Sequence, residues 1–489
     1  MAENIILEKV LKEFGELAKI PRPSGHEKNV SDYIVTRLKS MGLVVYQDKY
    51  NNVIAEKKAA DGFANVPLVM LQSHMDMVCI AEEGITYDPL HDPIKIKNDG
   101  KFLSAEGTSL GADDGIGIAS IFYLLAQNFK HGPLRAVFTV DEEQGMTGAR
   151  GLDKKYLQDV SYIINCDSED YDVVTIASAG SVRVSFEKNI RFGQPREDFH
   201  SAHIGIKNLL GGHSGTEINK NRCNAIKMLA LVLCSLYEER IDFALAEIKG
   251  GRADNAIASE AFADIVYNAD HEGKIKMILE RQEKEFGEVY GAIEKNAKFI
   301  FEETAMPPAV IVEEDAKALI ALLCVLHSGV YAMSQTVNAL PELSANIGRL
   351  GVADNKVSVR LLARSATNAN LSFIKTAYRN LSEMSGFTAV FAPTSPAWKG
   401  NPDSALAGIA AEIFKEQNNK PMQLEFIHGG LECNYFADKK SDADIISIGP
   451  NNIDIHTPQE KLQLDTVVPQ ILLMMEIVSR IAGNGRKAV

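Results

Sequence analysis

Strand-like apolar stretches alternate with helical ones through the first 180 or so residues, stop doing so at about residue 185, and resume at about residue 397. Alternation of this kind predicts a mostly parallel sheet covered by helices. Ile6, Val10, Phe14 and Leu17 mark a first amphipathic helix, and Val30, Ile34, Leu38 and Met41 mark a second over 29–41, stopped by Gly42. A hairpin is expected from 43–47 and 53–57 around Asn51-Asn52, and buried strands are expected at 66–72, 136–140 and 162–165, with a helix at 116–127. Between 185 and 396 the pattern becomes that of an antiparallel sheet, with strands at 243–249, 262–267, 342–350, 357–363 and 387–392 accompanied by helices at 221–239 and 371–384. The first pattern returns as a helix at 405–416, strands at 423–427 and 445–448, and a closing helix at 466–481. A chain of 489 residues exceeds what one core usually supports. The expected fold is therefore α/β: one discontinuous domain with a mostly parallel central sheet, from 1–184 and 397–489, and an inserted α+β domain over 185–396.

Metal-ligating residue types fall where these strands end. His74 and Asp76 follow the strand at 66–72, Asp141-Glu142-Glu143 follows 136–140, and Asp167 follows 162–165. Asp113 and Asp114 precede the helix at 116–127, and His456 lies in the returning segment. Open α/β sheets build their sites at the carboxyl ends of strands, so position and residue type agree. Two imidazoles (His74, His456) and three carboxylates (Asp113, Glu143, Asp167) suit two Zn²⁺ ions that each keep room for water. Asp113 is the expected bridge, with Asp114 capping the helix. Asp76, two residues from His74 on one strand face, is placed to accept the second ring N–H and fix the tautomer. Three adjacent acids at 141–143 repel one another unless a cation is near; one glutamate can then ligate while its neighbour faces the water. Each motif alone is ordinary, an acidic turn or a packed histidine, and the weight lies in their coincidence. A dinuclear metallohydrolase follows, with the discontinuous domain catalytic and the inserted one a lid. His213, between Gly211-Gly212 and Ser214-Gly215 in the insert, is expected to donate to the scissile carbonyl when the domains close.

The formal charge of −14 argues against a nucleic-acid partner. The N-terminus lacks the basic head and apolar run of a secretion signal. The longest apolar stretches, 225–237 and 467–481, read as too short or too interrupted to span a bilayer. Six cysteines without CxxC spacing, mostly in apolar segments, point to a reduced, cytoplasmic setting.

The chain resembles the M20 metallopeptidase family, and within it the cytosolic aminoacyl-histidine dipeptidase group. The stretches that carry the likeness are Ile20-Pro21-Arg22-Pro23-Ser24-Gly25-His26-Glu27, His74-Met75-Asp76-Met77-Val78, Gly107-Thr108-Ser109-Leu110-Gly111-Ala112-Asp113, Glu142-Glu143-Gln144-Gly145-Met146-Thr147-Gly148-Ala149, Gly212-His213-Ser214-Gly215, Gly429-Gly430-Leu431-Glu432-Cys433 and Ile455-His456-Thr457-Pro458. The resemblance spans essentially the whole length. It implies that His74 and Asp167 hold one metal and Glu143 and His456 the other, with Asp113 between them. It also implies Glu142 as general base, a cis peptide after Asp113, and His213 and Asn255 as carbonyl donors. Arg364 (or the nearby Arg360) would clamp a free substrate carboxylate, and Glu432 would meet the substrate amino group. Asn434 stands where a smaller residue is expected. The implied activity is hydrolysis of dipeptides, Xaa-His among them, with two divalent ions (Zn, or Mn or Co) and a homodimer formed through the lid. The rivals are a carboxypeptidase, tripeptidase or N-acyl-amino-acid deacylase of the same fold, and, more distantly, a non-catalytic metal- or peptide-binding protein.

Overall fold

The computed structural model describes residues 2–485 and divides into two compact units. One comprises Met1–Ser178, Trp398–Phe426 and Leu431–Val489, the other Ala179–Ala397 with Ile427–Gly430. The boundaries thus fall at 178/179 and 397/398, against the 184/185 and 396/397 expected from the sequence. Assigning all of 397–489 to the first domain needs a correction at Ile427–Gly430. The Ala179 N–H donates to the carbonyls of both Ile427 (3.1 Å) and Gly429 (2.9 Å), which holds that short segment in the second unit.

The first unit is built on an eight-stranded sheet ordered Val44–Gln47, Val53–Lys57, Leu134–Thr139, Leu68–His74, Val160–Asn165, Asp444–Ser447, Val173–Ser178 and Gln423–Ile427. The central four strands, from Leu134–Thr139 to Asp444–Ser447, run parallel. Antiparallel pairs flank them. The sheet is therefore mixed, and parallel where it carries the site. Leu134–Thr139 is buried throughout, as a strand covered on both faces must be. Register then sets function: His74 lies opposite Thr139, and Gln72 opposite Asn165. Residues following these strands accordingly emerge on one edge.

Helices Lys28–Ser40, Ala112–Ala126, Ala405–Asn418 and Leu464–Gly485 pack apolar residues into the first unit's cores. The last of them corrects the expectation about its length: 20 of its residues, Leu464–Gly483, are long and apolar enough to cross a membrane. Its Val467, Ile471, Leu473, Met474, Ile477, Val478 and Ile481 are buried in those cores, which accounts for the apolar composition.

The second unit is a nine-stranded antiparallel sheet with helices Ala225–Glu238, Glu272–Tyr290, Glu313–Val325 and Asn368–Ser385. Its core gathers Val182, Phe186, Ile204, Leu229, Leu245, Ile265, Leu319 and Leu361. Asn224 caps its helix by accepting from the Ile226 and Lys227 N–H groups.

Candidate metal centre

The strand-end residues of the first unit converge. His74 Nε2 lies 2.9 Å from Asp113 Oδ1 and 3.5 Å from Asp167 Oδ1. His456 Nε2 lies 3.0 Å from Asp113 Oδ2 and 2.9 Å from Glu143 Oε2. The two oxygens of Asp113 thus face different imidazoles. Ligands about 2.0–2.1 Å from one ion in tetrahedral geometry sit roughly 3.3 Å apart, so these spacings fit shared cations. Three groups could each hold an ion: His74 with Asp114 and Asp167, Asp113 with Glu143 and His456, and His74 with Glu142 and Glu143. Glu143 Oε1 is buried without a hydrogen-bond partner among the described residues, which also fits a donor atom whose partner is an ion.

Secondary contacts explain the convergence. Asp76 Oδ1 accepts from the Glu142 N–H (3.0 Å), and its Oδ2 accepts from the Glu143 N–H (3.2 Å) and Ser24 Oγ (2.8 Å). One carboxylate therefore aims the turn that carries both glutamates. Toward His74 Nδ1 its own carbonyl (3.1 Å) is nearer than its carboxylate (3.4 Å), so the ring is steered chiefly by the backbone. Asp114 does not cap the helix. The N-cap is Gly111, with no side-chain cap, and Asp114 Oδ2 accepts from the His74 N–H at 3.3 Å. The Asp113–Asp114 peptide bond is cis.

Two residues to which the sequence pattern assigns no role hold the Asp113 loop. Glu460 accepts from four backbone N–H groups: Leu110 (2.7 Å), Gly111 (2.9 Å), Ala112 (2.8 Å) and Asp113 (3.3 Å). Arg22, fully buried, donates to the carbonyls of Met75 (2.8 Å), Asp76 (3.0 Å) and Gly111 (2.5 Å). Gly111 has φ +70, and a Cβ there would lie 2.6 Å from Arg22 Nη2 and 2.5 Å from Met77 Sδ, so a side chain would strain the backbone and push both neighbours aside. Glu460 had no sequence signal, being one acid after a proline turn. Arg22 had a faint one, a lone arginine between two prolines.

His456 is delivered by a small four-stranded sheet in which Lys461–Gln463 pairs with both Asn452–Ile453 and Phe102–Ala105. Two anchors thus bind the late segment to the loop before Asp113: this sheet and the Glu460 carboxylate.

Beneath the site runs a buried polar chain. Ser447 Oγ donates to Asn165 Oδ1, Asn165 Nδ2 to Gln72 Oε1 (2.6 Å), and Gln72 Nε2 to Glu432 Oε2 (2.6 Å), which also accepts from Thr139 Oγ1 (2.5 Å). Glu432 is fully buried, and its Oε1 has no hydrogen-bond partner among the described residues. Asn434 is buried too and accepts from Ser178 Oγ.

Electrostatics record the crowding. Burial opposes the charge on Asp113, but the His456 and His74 rings outweigh it and hold the carboxyl well below its usual range. Burial also disfavours a charged His456, yet Asp113 and Glu143 push its pKa up to about 11. His74 is likewise driven up by Asp167 and Asp113 against its burial. Glu142 is raised well above an ordinary glutamate by burial, then by the neighbouring Asp167 and Glu143. Asp167 is raised by burial, and Asp114 by burial to about 7. Without cations, protons occupy this site, and divalent ions would displace them.

The remaining expected residues lie in the second unit. Gly212–His213 pairs with Ala256–Ile257, and the Ser214 N–H donates to the Asn255 carbonyl at 2.8 Å. Arg364 is 8% exposed, its Nη2 is 3.5 Å from His213 Nε2, and its Nε has no hydrogen-bond partner among the described residues. Burial, then the nearby Arg183, lowers its pKa to about 10. Arg360, by contrast, is exposed. His428, which no sequence motif singled out, is buried beside them, with Nε2 2.7 Å from Ser344 Oγ. Burial and Arg364 lower its pKa to about 3, so it is neutral.

The chain is similar to known proteins along most of its length. A profile of Peptidase family M20/M25/M40 matches residues 70–480. The cytosol non-specific dipeptidase of Escherichia coli (strain K12) is 32% identical over 474 residues, 96% of this chain and 97% of its own. The crystal structure of aminoacylhistidine dipeptidase from Vibrio alginolyticus superposes with a TM-score of 0.85 at 33% identity, covering 96% of each chain. A metallo-carboxypeptidase from Sulfolobus solfataricus shares the fold alone, with 14% identity and a TM-score of 0.57 over 97% of this chain and 99% of its own.

Proposed function

This chain belongs to peptidase family M20/M25/M40, and from that membership we propose that it hydrolyses dipeptides with free amino and carboxyl ends, Xaa-His among them, at a site for two divalent metal ions. The observation that carries the reading is Asp113, whose Oδ1 and Oδ2 face His74 and His456 at 2.9 and 3.0 Å. His74 and Asp167 would hold one ion and Glu143 and His456 the other, with Asp113 shared between them. Zn²⁺ is the first choice for this mixed imidazole–carboxylate set, with Mn²⁺ or Co²⁺ as alternatives. When bound, such ions polarise the scissile carbonyl and bring the pKa of water toward neutrality.

The chain's own groups do the rest. Glu142 takes the proton of the attacking water and passes it to the departing amine nitrogen. Its burial suits this, because a carboxylate desolvated beside other acids is a stronger base than one in water. Asp76 fixes Glu142 and Glu143 through their N–H groups and helps orient His74. His213 and Asn255 are offered to the carbonyl oxygen and Arg364 to the substrate carboxylate. Glu432, whose Oε1 has no hydrogen-bond partner among the described residues, is offered to the ammonium. Requiring charges at both substrate ends limits length, which separates a dipeptidase from an endopeptidase.

The E. coli and Vibrio relatives, named as dipeptidases and similar across nearly the whole chain, support this over the carboxypeptidase, tripeptidase and deacylase readings. A cytoplasmic location is part of the proposal, supported by six free cysteines. So is a homodimer through the second unit, where Lys298–Glu303 ends its sheet and offers an edge for pairing. Hydrolysis of a dipeptide, a tripeptide and an N-acetyl amino acid should be compared on metal-loaded protein. Preference for either of the latter two rejects the dipeptidase reading.

A further inference from the structure

The second unit holds two cysteines side by side. Cys234 lies on the helix Ala225–Glu238 and Cys324 on the helix Glu313–Val325. Their sulfurs are 2.6 Å apart, nearer the about 2.05 Å of an S–S bond than an ordinary contact between thiols. The two helices are clamped at this point. Lys227, two turns before Cys234 on the same helix face, donates through Nζ to the carbonyls of Leu323 (2.8 Å), Cys324 (2.8 Å) and Leu326 (2.6 Å). Cys324 Sγ also contacts the Ala230 carbonyl at 3.5 Å. Both thiols are half-buried, so a small reagent reaches them while the backbone around them is held.

We propose that Cys234 and Cys324 form a covalent modification site that reacts with low-molecular-weight disulfides and closes into an intrachain disulfide. The Cys234 thiolate attacks one sulfur of the reagent, forming a mixed disulfide and releasing one small thiol. The Cys324 thiolate then attacks Cys234 Sγ, closing the protein disulfide and releasing the second. Two protein thiols are oxidised, the reagent disulfide is reduced by the same two electrons, and the two thiol protons leave with the two small thiols. Burial, then the Cys234 sulfur, pushes the Cys324 thiol up to about 12, which makes it the poorer nucleophile toward a reagent in solution and leaves the first attack to Cys234. In a reducing compartment the pair stays open and closes only under oxidant load. Closure joins positions 90 residues apart and so restricts the unfolded chain.

The test incubates the native full-length protein with excess oxidised glutathione, blocks remaining thiols by alkylation and maps the peptides by mass spectrometry. The expected product joins the Cys234 and Cys324 peptides, retains no glutathione at either, reverts with dithiothreitol and unfolds at a higher temperature than the reduced protein. Cys79, Cys166, Cys223 and Cys433 serve as internal controls. In Cys324→Ser, glutathione should stay on Cys234; if that variant does not fold, the wild-type map alone decides. Full alkylation of both cysteines, retained glutathione in the wild type, or pairing with any of the four controls overturns the proposal.

Discussion

Replacing Glu460 with glutamine should empty the metal site without touching a ligand. The Glu460 carboxylate divides its four backbone donors evenly: Oε2 serves Leu110 and Gly111, and Oε1 serves Ala112 and Asp113. Glutamine offers one acceptor oxygen, and its NH₂ must face two of those N–H groups. Stranding two buried donors costs about 1–3 kcal/mol each, or roughly 2–6 kcal/mol together. At about 2 °C per kcal/mol for a unit of this size, the metal-free first unit should melt roughly 4–12 °C lower. The loop that fails is the one that presents Asp113, and both ion positions depend on that carboxylate. Glu460→Gln should therefore retain well under half of the wild-type metal after dialysis. Calorimetry on chelator-treated protein reads the structural cost, and elemental analysis of the metal-loaded protein reads the site. A variant that melts within a degree of wild type and keeps full metal stoichiometry refutes the idea that this carboxylate holds the loop.

Glu142→Gln should bind metal as the wild type does and lose about 10²–10⁴-fold in turnover; retention of more than a tenth of the rate reassigns the base. Asp113→Ala should lose both ions, so a protein that still carries one per chain means that Asp113 does not bridge. Because His456 keeps its proton up to about pH 11 in the metal-free site, loading the site at pH 7 should release protons, and apparent affinity should fall as the pH falls. Calorimetric titration in buffers of different ionisation enthalpy measures that release, and identical heats in all buffers would contradict it. Amidating the substrate carboxylate should raise KM severely for wild type but little for Arg364→Ala; equal handling of acid and amide by wild type removes the Arg364 clamp.

Much of the first unit was legible because its strands announce themselves twice. Leu134–Thr139 and Val160–Asn165 are mostly apolar runs, and each runs out into acids, a pattern that is ordinary for one strand and telling only when several strands repeat it. His456 could be suspected but not placed. Its position depends on a three-residue strand, Lys461–Gln463, pairing with one at Phe102–Ala105, too short a stretch to show a period of two. Glu460 was invisible for the same reason, since its partners are backbone N–H groups that any sequence supplies. Asp114 misled because an acid before a helix usually caps it, whereas here the chain turns it inward to the His74 N–H. In the second unit, Glu272–Tyr290 escaped notice because charged residues surround the narrow stripe of Ile275, Ile278, Leu279 and Phe286 that it buries. The segment Ile427–Gly430 belongs to the second unit through two hydrogen bonds from the Ala179 N–H and through His428 beside Ser344, contacts with no local signature.

The strand Asp444–Ser447 lies in the middle of the eight-stranded sheet, between Val160–Asn165 and Val173–Ser178. On the ribosome the first two hundred residues therefore emerge with a slot in their sheet that stays open until Asp444–Ser447 has been made, more than 250 residues after Val173–Ser178. Contacts of such long sequence separation form slowly, and unpaired strand edges left waiting invite other chains. A premature stop late in the gene would therefore yield an aggregating product in preference to a soluble, inactive one.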